Sequence, residues 1–325
     1  MKKSIFTIST LLTLTTGVVF GQQEKLLTHF IYDRMSINPG STGLDNGLSG
    51  TMVYRNQWDK VNGAPNSVLF NVEAQAEPIY GGIGVSFYHD AIGEMKQNNL
   101  ILNYSLHMPL TINGAYRGTL GAGIGAGLVN VGFDPVWIPP TTTPDPLLPT
   151  ATSGGALDLN LGLFWRGNSN PMRPYYVGLS ATHLTQAEIK NNVNFSNARH
   201  LFLIGGYTMY NVFGTGKSLD FQLLSRTDLV KYSAELNARY LHNLGSGGDQ
   251  VYGGLTYRIS DGAGLMLGYQ KDIPSKLTRL IVGYSYDLTL NKLRDISKGS
   301  HEFVLRYVKL IPPPPVQKAK HPRWL

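Results

Sequence analysis

Gly121-Ala122-Gly123-Ile124-Gly125-Ala126-Gly127-Leu128 is the stretch on which the fold turns. Its glycines look at first like a phosphate-binding loop, but that cradle needs a helix N-terminus behind it, and the spacing here is strictly two. A period of two belongs to a β-strand, whose successive side chains point to opposite faces. Gly121, Gly123, Gly125 and Gly127 then share one face. A bare face of this kind permits sharp curvature, or close approach by a plug or a partner's backbone. Simple close packing inside a barrel is the plainer reading.

The same alternation recurs outward from this stretch in both directions. Strands are read over 50–58, 67–75, 82–89, 98–108, 116–131, 156–166 and 173–182. In the second half they are read over 200–210, 218–226, 231–242, 250–259, 264–271, 277–288 and 301–309. That makes about fourteen, an even number as in bacterial single-chain barrels. A tilted membrane strand needs roughly 9–11 residues, a length these segments approach or reach. If the first strand runs outward, the outer connections include 59–66, 90–97, 132–155, 183–199 and 289–300, while the inner ones are mostly short. Long outside and short inside is the outer-membrane arrangement. Short outer turns near Leu229 and Ser260 break the trend.

Composition points the same way. The chain opens Met1-Lys2-Lys3, continues through an apolar run from Ile5 to Phe20 and reaches Val19-Phe20-Gly21, which reads as a signal peptide over residues 1–21, cut before Gln22. An exported, alternating chain is either a soluble sandwich or an outer-membrane barrel. Only 15% of residues are charged, against about a quarter in soluble domains. Tyr (18) outnumbers Phe (12), and there are 37 Gly. A sandwich keeps a charged outer face, whereas a barrel turns that face to lipid, so the barrel is favoured. The 325 residues contain no cysteine, which excludes a disulfide framework and a lipoprotein anchor.

The expected architecture is therefore an all-β, transmembrane antiparallel barrel of about fourteen strands over 48–310, located in the outer membrane and in contact with its lipid. Segment 22–47, with Phe30 and Tyr32, forms either a plug or a periplasmic strap. Residues 311–325 read as a Pro-rich basic periplasmic tail, with Pro312–Pro315 as a stiff spacer ahead of Lys318, Lys320, Arg323 and Trp324. The formal charge of +7 owes much to this end, which lacks the basic and aromatic interleaving of a nucleic-acid face.

Chemistry was sought in the usual patterns. The histidines (His29, His89, His107, His183, His200, His242, His301, His321) show no metal-ligand spacing, and no G-x-S-x-G elbow occurs. The expectation is a non-enzymatic protein with no cofactor and no metal. Candidate partner-binding residues are Tyr54, Arg55, Asn56, Gln57 and Trp58, then Trp137 and Ile138 in the Pro-rich outer loop, and Lys318, Lys320, Arg323 and Trp324 in the tail. Within a period-two strand, Tyr54, Asn56 and Trp58 share an aromatic outer face. Arg55 facing lipid would cost about 2–4 kcal/mol at mid-membrane, so it should point into the lumen and pair with a carboxylate, for which Glu73 and Asp158 are candidates. A lumen ion pair that holds barrel shape is favoured over direct contact with an inserted partner.

These residues also resemble a known family. Ile37-Asn38-Pro39-Gly40-Ser41-Thr42-Gly43, followed by Tyr54-Arg55-Asn56-Gln57-Trp58 and Gly63-Ala64-Pro65, is similar to the opening of the PorP/SprF outer-membrane proteins of the Bacteroidota type IX secretion and gliding motility systems. The resemblance continues through Gly82–Ser86, Tyr175–Leu184 and Leu265–Tyr269, and closes with Gly283–Leu288, Gly299–Glu302 and Pro322-Arg323-Trp324-Leu325. The family usually has Ala where Gly40 stands and Phe where Trp324 stands. The resemblance implies one of two roles. One is a barrel paired with a secreted surface protein, such as a gliding adhesin, whose C-terminal type IX signal domain it holds. The other is a core component linked to the periplasmic ring and peptidoglycan-binding parts of the machine. The cargo-anchor role is the expectation, because genomes with this system tend to carry several such copies beside one core copy. The tail is then expected to dock on a periplasmic or motor-linked component. A passive solute channel is the rival of another class, and it requires an open, hydrated lumen.

Overall fold

The computed structural model describes residues 24–45, 47–136, 148, 150–167, 170–186, 188–189, 195–259 and 261–311. The leader, Trp137, Ile138 and the tail residues Lys318, Lys320, Arg323 and Trp324 lie outside the described residues.

The chain is a closed antiparallel barrel of fourteen strands. They are β1 Gly47–Asn56, β2 Asn66–Ala76, β3 Gly81–Ile92, β4 Met95–Ile112, β5 Ala115–Phe133, β6 Thr152–Gly167 and β7 Tyr175–Thr182. After a two-stranded hairpin, β8 Glu188–Ile189 with β9 Phe195–Ser196, the wall resumes with β10 His200–Met209, β11 Lys217–Thr227 and β12 Tyr232–Asn243. It ends with β13 Gln250–Arg258, β14 Gly262–Ile273, β15 Thr278–Thr289 and β16 Ser300–Leu310. Each strand pairs with its neighbour in the chain, β7 pairs with β10, and β1 pairs with β16 from Gly47↔Leu310 to Asn56↔His301. Closure satisfies every edge, which a hydrocarbon environment demands.

The alternation seen in sequence becomes the two faces of the wall. Leu48, Met52 and Tyr54 of β1, Ile83, Val85 and Phe87 of β3, Leu157, Leu159, Leu161 and Leu163 of β6, and Phe303, Leu305 and Tyr307 of β16 are all exposed outward. Between them Ser49, Thr51 and Arg55, or Asp158 and Asn160, or Glu302 and Arg306, point inward and are buried. Apolar out and polar in is the reverse of a soluble protein and the pattern of a membrane barrel. No helix among the described residues is long and apolar enough to cross a membrane.

Several expectations from the sequence need correction. The connection expected over 90–97 is a tight turn at Gly93-Glu94, because β3 and β4 pair on to Ile92↔Met95. The inner connection expected over 109–115 is the two-residue turn Asn113-Gly114, with φ of 52° and 73°. Positive φ at both central residues is what a tight hairpin requires, and Asn-Gly supplies it with little strain. β4 and β5 consequently reach 18 and 19 residues. The first strand ends at Asn56 rather than Trp58. Gln57 N donates to Pro65 O at 2.9 Å, and Trp58 turns away with a φ of 55°. Trp58 therefore does not share a strand face with Tyr54.

Candidate functional site in the barrel lumen

Residues 24–45 run through the lumen. Local sequence makes this segment compact: a 3-10 turn at Phe30–Tyr32, a one-turn helix at Arg34–Ile37, and a second 3-10 turn at Pro39–Ser41. Asn38 caps the last of these by accepting from Gly40 N at 2.9 Å, and Pro39 at its first position has no N–H to lose. Thr28, His29, Phe30, Asp33, Asn38 and Thr42 are wholly buried.

The segment descends from one end of the barrel to the other. At the end where β7 stops and β10 begins, Glu24 Oε2 lies 3.2 Å from His183 Nε2 and 3.7 Å from His200 Nδ1. The other face of the His183 ring meets Asp158 Oδ2 at 2.8 Å. Burial disfavours the charged imidazole, but the Asp158 and Glu24 carboxylates outweigh it and push the His183 pKa up to about 10. Glu24, also buried, is nevertheless held well below the usual carboxylate range by His183 and then His200. At this end Phe195 of β9 is buried against Val129 and Val131 of β5.

One layer below, Thr28 N and His29 N donate to Glu302 Oε2 and Oε1 at 2.8 and 2.7 Å. Arg55 spans the same carboxylate and its neighbour, with Nη1 on Glu302 Oε2 at 3.0 Å and Nη2 on Asp287 Oδ2 at 2.7 Å. Glu73 and Asp158 are therefore not its partners. Glu73 accepts from Gly43 N at 2.8 Å, and Asp158 belongs to His183. At mid-height Arg239 holds Asp220 through Nε and Nη2, at 3.0 and 2.7 Å, and donates from Nη1 to Tyr32 Oη at 3.0 Å. Asn71 Nδ2 donates to Asp33 Oδ1 at 2.7 Å.

Below mid-height the stretch Asn38–Gly43 is seated on backbone. Asn38 Nδ2 donates to the carbonyls of Leu163 and Leu179 at 2.9 and 3.1 Å, and Ser105 Oγ donates to Gly40 O at 2.9 Å. A Cβ at Gly121 would overlap the Gly40 carbonyl, at Gly123 the Pro39 carbonyl group, at Gly162 the Asn38 side chain, and at Gly82 the Thr42 carbonyl. Part of the glycine stripe is thus the bed on which Asn38–Gly43 lies. At the bottom Arg166 bonds Leu44 O, and Arg306 Nη2 reaches Asp45 at 2.9 Å. Burial opposes ionisation of Asp45, yet Arg34, Arg306 and Arg166 hold its carboxyl below the usual range.

The other sequence candidates fall on the wall. Tyr54 points outward and is 41% exposed, and Asn56 Nδ2 donates to Asn66 Oδ1 at 3.0 Å at the strand end. Gln57 is buried, and Trp58 N donates to Ser300 Oγ at 3.1 Å. Arg55, at 1% exposure, donates to Thr28, Glu302 and Asp287. Sequence reading did not single out Glu24, Thr28, His29, Asp287 or Glu302. Their main partners lie more than a hundred positions away; Asp287 and Glu302 fall within the family-like stretches Gly283–Leu288 and Gly299–Glu302, but nothing in those stretches assigns them to Arg55. Among the described residues no cluster of metal-ligating side chains occurs.

A closed fourteen-stranded wall with an apolar outer face and a charged, filled interior defines an outer-membrane β-barrel protein. The chain matches the family described as type IX secretion system membrane protein PorP/SprF over residues 19–307, and it belongs to that family. No curated protein matches the sequence. Among solved structures, the CymD monoaromatic hydrocarbon channel is similar with a TM-score of 0.50 at 10% identity, covering 86% of this chain and 92% of that one. A TodX deltaS2S3 mutant monoaromatic hydrocarbon channel gives 0.50 at 8% identity, covering 86% and 94%. An outer membrane channel from Pseudomonas putida F1 gives 0.45 at 15% identity, covering 82% and 96%. At these identities the likeness is one of fold.

Proposed function

We propose that this barrel is a non-enzymatic binding component of a type IX secretion system. In this reading it holds a secreted surface protein, such as a gliding adhesin, through that protein's C-terminal signal domain at the long-loop mouth. The observation that supports it is the filled lumen. Residues 24–45 are bonded to the wall at the top, middle and bottom, by charged groups at both ends and at mid-height and by backbone against glycine along Asn38–Gly43. A solute channel needs a hydrated path through this space, whereas an anchor needs only a stiff wall and a receptive mouth. The stiffness comes from charges that are mutually satisfied in a low dielectric. The surface offered to a partner is the rim carrying 134–151 and 183–199. The tail beyond Ile311 serves a periplasmic or motor-linked component, so its deletion leaves the barrel assembled and weakens partner retention.

The test is a gentle detergent pull-down of the tagged full-length protein with mass spectrometry. A large secreted protein bearing its C-terminal domain, recovered near one to one, supports the reading. Recovery of periplasmic ring and peptidoglycan-binding proteins alone replaces it with the core-component role. Recovery of neither, together with conductance in a planar bilayer, overturns both.

A further inference from the structure

The direction in which the lumen segment runs has a topological consequence. β1 leaves the barrel end that carries the tight connections Glu77–Ile79, Asn113-Gly114 and Pro274–Lys276, and both Gly47 and Leu310 sit at that end. The opposite end carries the long connections 57–65, 134–151, 183–199 and 290–299, beside short ones at 93–94, 228–231 and 259–261. Short turns face the periplasm and long loops the exterior in this class of barrel. The segment joins β1 at the periplasmic end, where Leu44 and Asp45 meet Arg166 and Arg306. Twenty residues earlier, Glu24 lies against His183 and His200, and Lys25 O accepts from Arg226 Nη1 at 2.7 Å. All three wall residues lie at the long-loop end of their strands or just beyond it.

We propose that the lumen segment is delivered amino end first, so that Glu24 and Lys25 stand at the cell-surface mouth and the mature amino terminus opens on that side of the outer membrane. A leader cut before Gln22 leaves the terminus within two residues of Glu24, about 7 Å of extended chain. The leader is removed on the periplasmic side, so the terminus crosses the outer membrane during assembly. In the finished fold Pro39 and Gly40 lie backbone to backbone on Gly121 and Gly123, so the segment is held along its length once it is in place. The inference rests on the outward placement of the long loops that the proposed function also uses.

The absence of cysteine makes the test clean. Single-cysteine variants of the full-length protein are treated with a membrane-impermeant maleimide on intact cells. Asp295→Cys, in the 290–299 loop where the aspartate side chain is 81% exposed, marks the outside, and Ser275→Cys, in an exposed inner turn, marks the periplasm. Gln23→Cys is expected to label on intact cells as Asp295→Cys does, while Ser275→Cys labels only after the outer membrane is permeabilised. Labelling of Gln23→Cys only after permeabilisation overturns the proposal, and an exchange of the two controls overturns it through the orientation. Where Gln23→Cys resists the reagent in both states, an epitope inserted after Gln22 decides. Antibody binding to intact cells supports the proposal, and binding only after permeabilisation overturns it. None of these readouts depends on a bound partner, so the anchor reading can fail while this one stands.

Discussion

Arg55 Nη2 meets Asp287 Oδ2 at 2.7 Å inside the lumen, across 232 positions of chain. The same guanidinium bonds Glu302, whose carboxylate in turn accepts the backbone N–H groups of Thr28 and His29. One arginine on the first strand thus ties together the last two strands and the lumen segment.

Removing that arginine takes the guanidinium from two buried carboxylates and leaves Asp287 with Arg258 Nη1 at 3.8 Å. Arg55→Ala is expected to destabilise the barrel by about 3–5 kcal/mol, the usual cost of orphaning a buried charge. Arg55→Lys, which keeps the charge but not the fork, is expected to lose less. The shift from folded to unfolded mobility on unboiled gels, followed against temperature, measures both. Equal midpoints for Arg55→Ala and the parent protein would refute the tie.

The glycine bed predicts a sharp positional contrast. Gly123→Ala places a methyl on the Pro39 carbonyl group and should cost about 1–3 kcal/mol or expel the segment, as overpacked sites do. Gly253→Ala on β13 meets nothing nearer than Leu267 Cδ2 at 3.6 Å and should be close to neutral. Urea midpoints of the two variants in detergent check this. Equal effects would mean that the seat of Asn38–Gly43 is looser than its contacts imply.

The Glu24–His183–Asp158 latch has a defined pH window. The His183 pKa is raised from 6.5 to about 10, so its contribution is complete below 6.5 and is lost as pH rises through about 10. Glu24 is depressed from 4.5, so its contribution is present above 4.5 and is lost as pH falls below that value. The latch is therefore expected to be closed at neutral pH and to loosen at either extreme. The protection of the peptide covering 24–33, taken as its exchange rate relative to the intrinsic rate at each pH, should be high at pH 7 and fall above pH 10, and His183→Ala should lower it already at pH 7. A flat profile in the parent protein counts against the latch.

With residues 24–45 in place, the purified full-length protein should give no discrete single-channel steps in a planar bilayer. Steps of porin size would show that the segment leaves the lumen.

Much of the wall was legible from the chain because its cause is local. Strand period, glycine punctuation, and the balance of apolar against charged residues act over a few positions, so all fourteen wall strands could be placed. Arg55 could be sent inward because a charge in lipid is costly whatever its partner. Errors arose where hydrogen bonding across strands overrode the local pattern. Pairing carried β3, β4 and β5 past their apparent ends, and the Gln57–Pro65 bond stopped β1 before Trp58.

The sequence by itself determined the barrel, its strand number and that Arg55 faces the lumen, since those follow from alternation and from the cost of a charge in lipid. Only the tertiary structure decided what fills the lumen, that Asp287 and Glu302 answer Arg55, and that Glu24 stands at the far mouth from Gly47. Those outcomes depend on strands distant in sequence arriving at one height of a closed wall, and closure is a property of the whole sheet that no short stretch encodes.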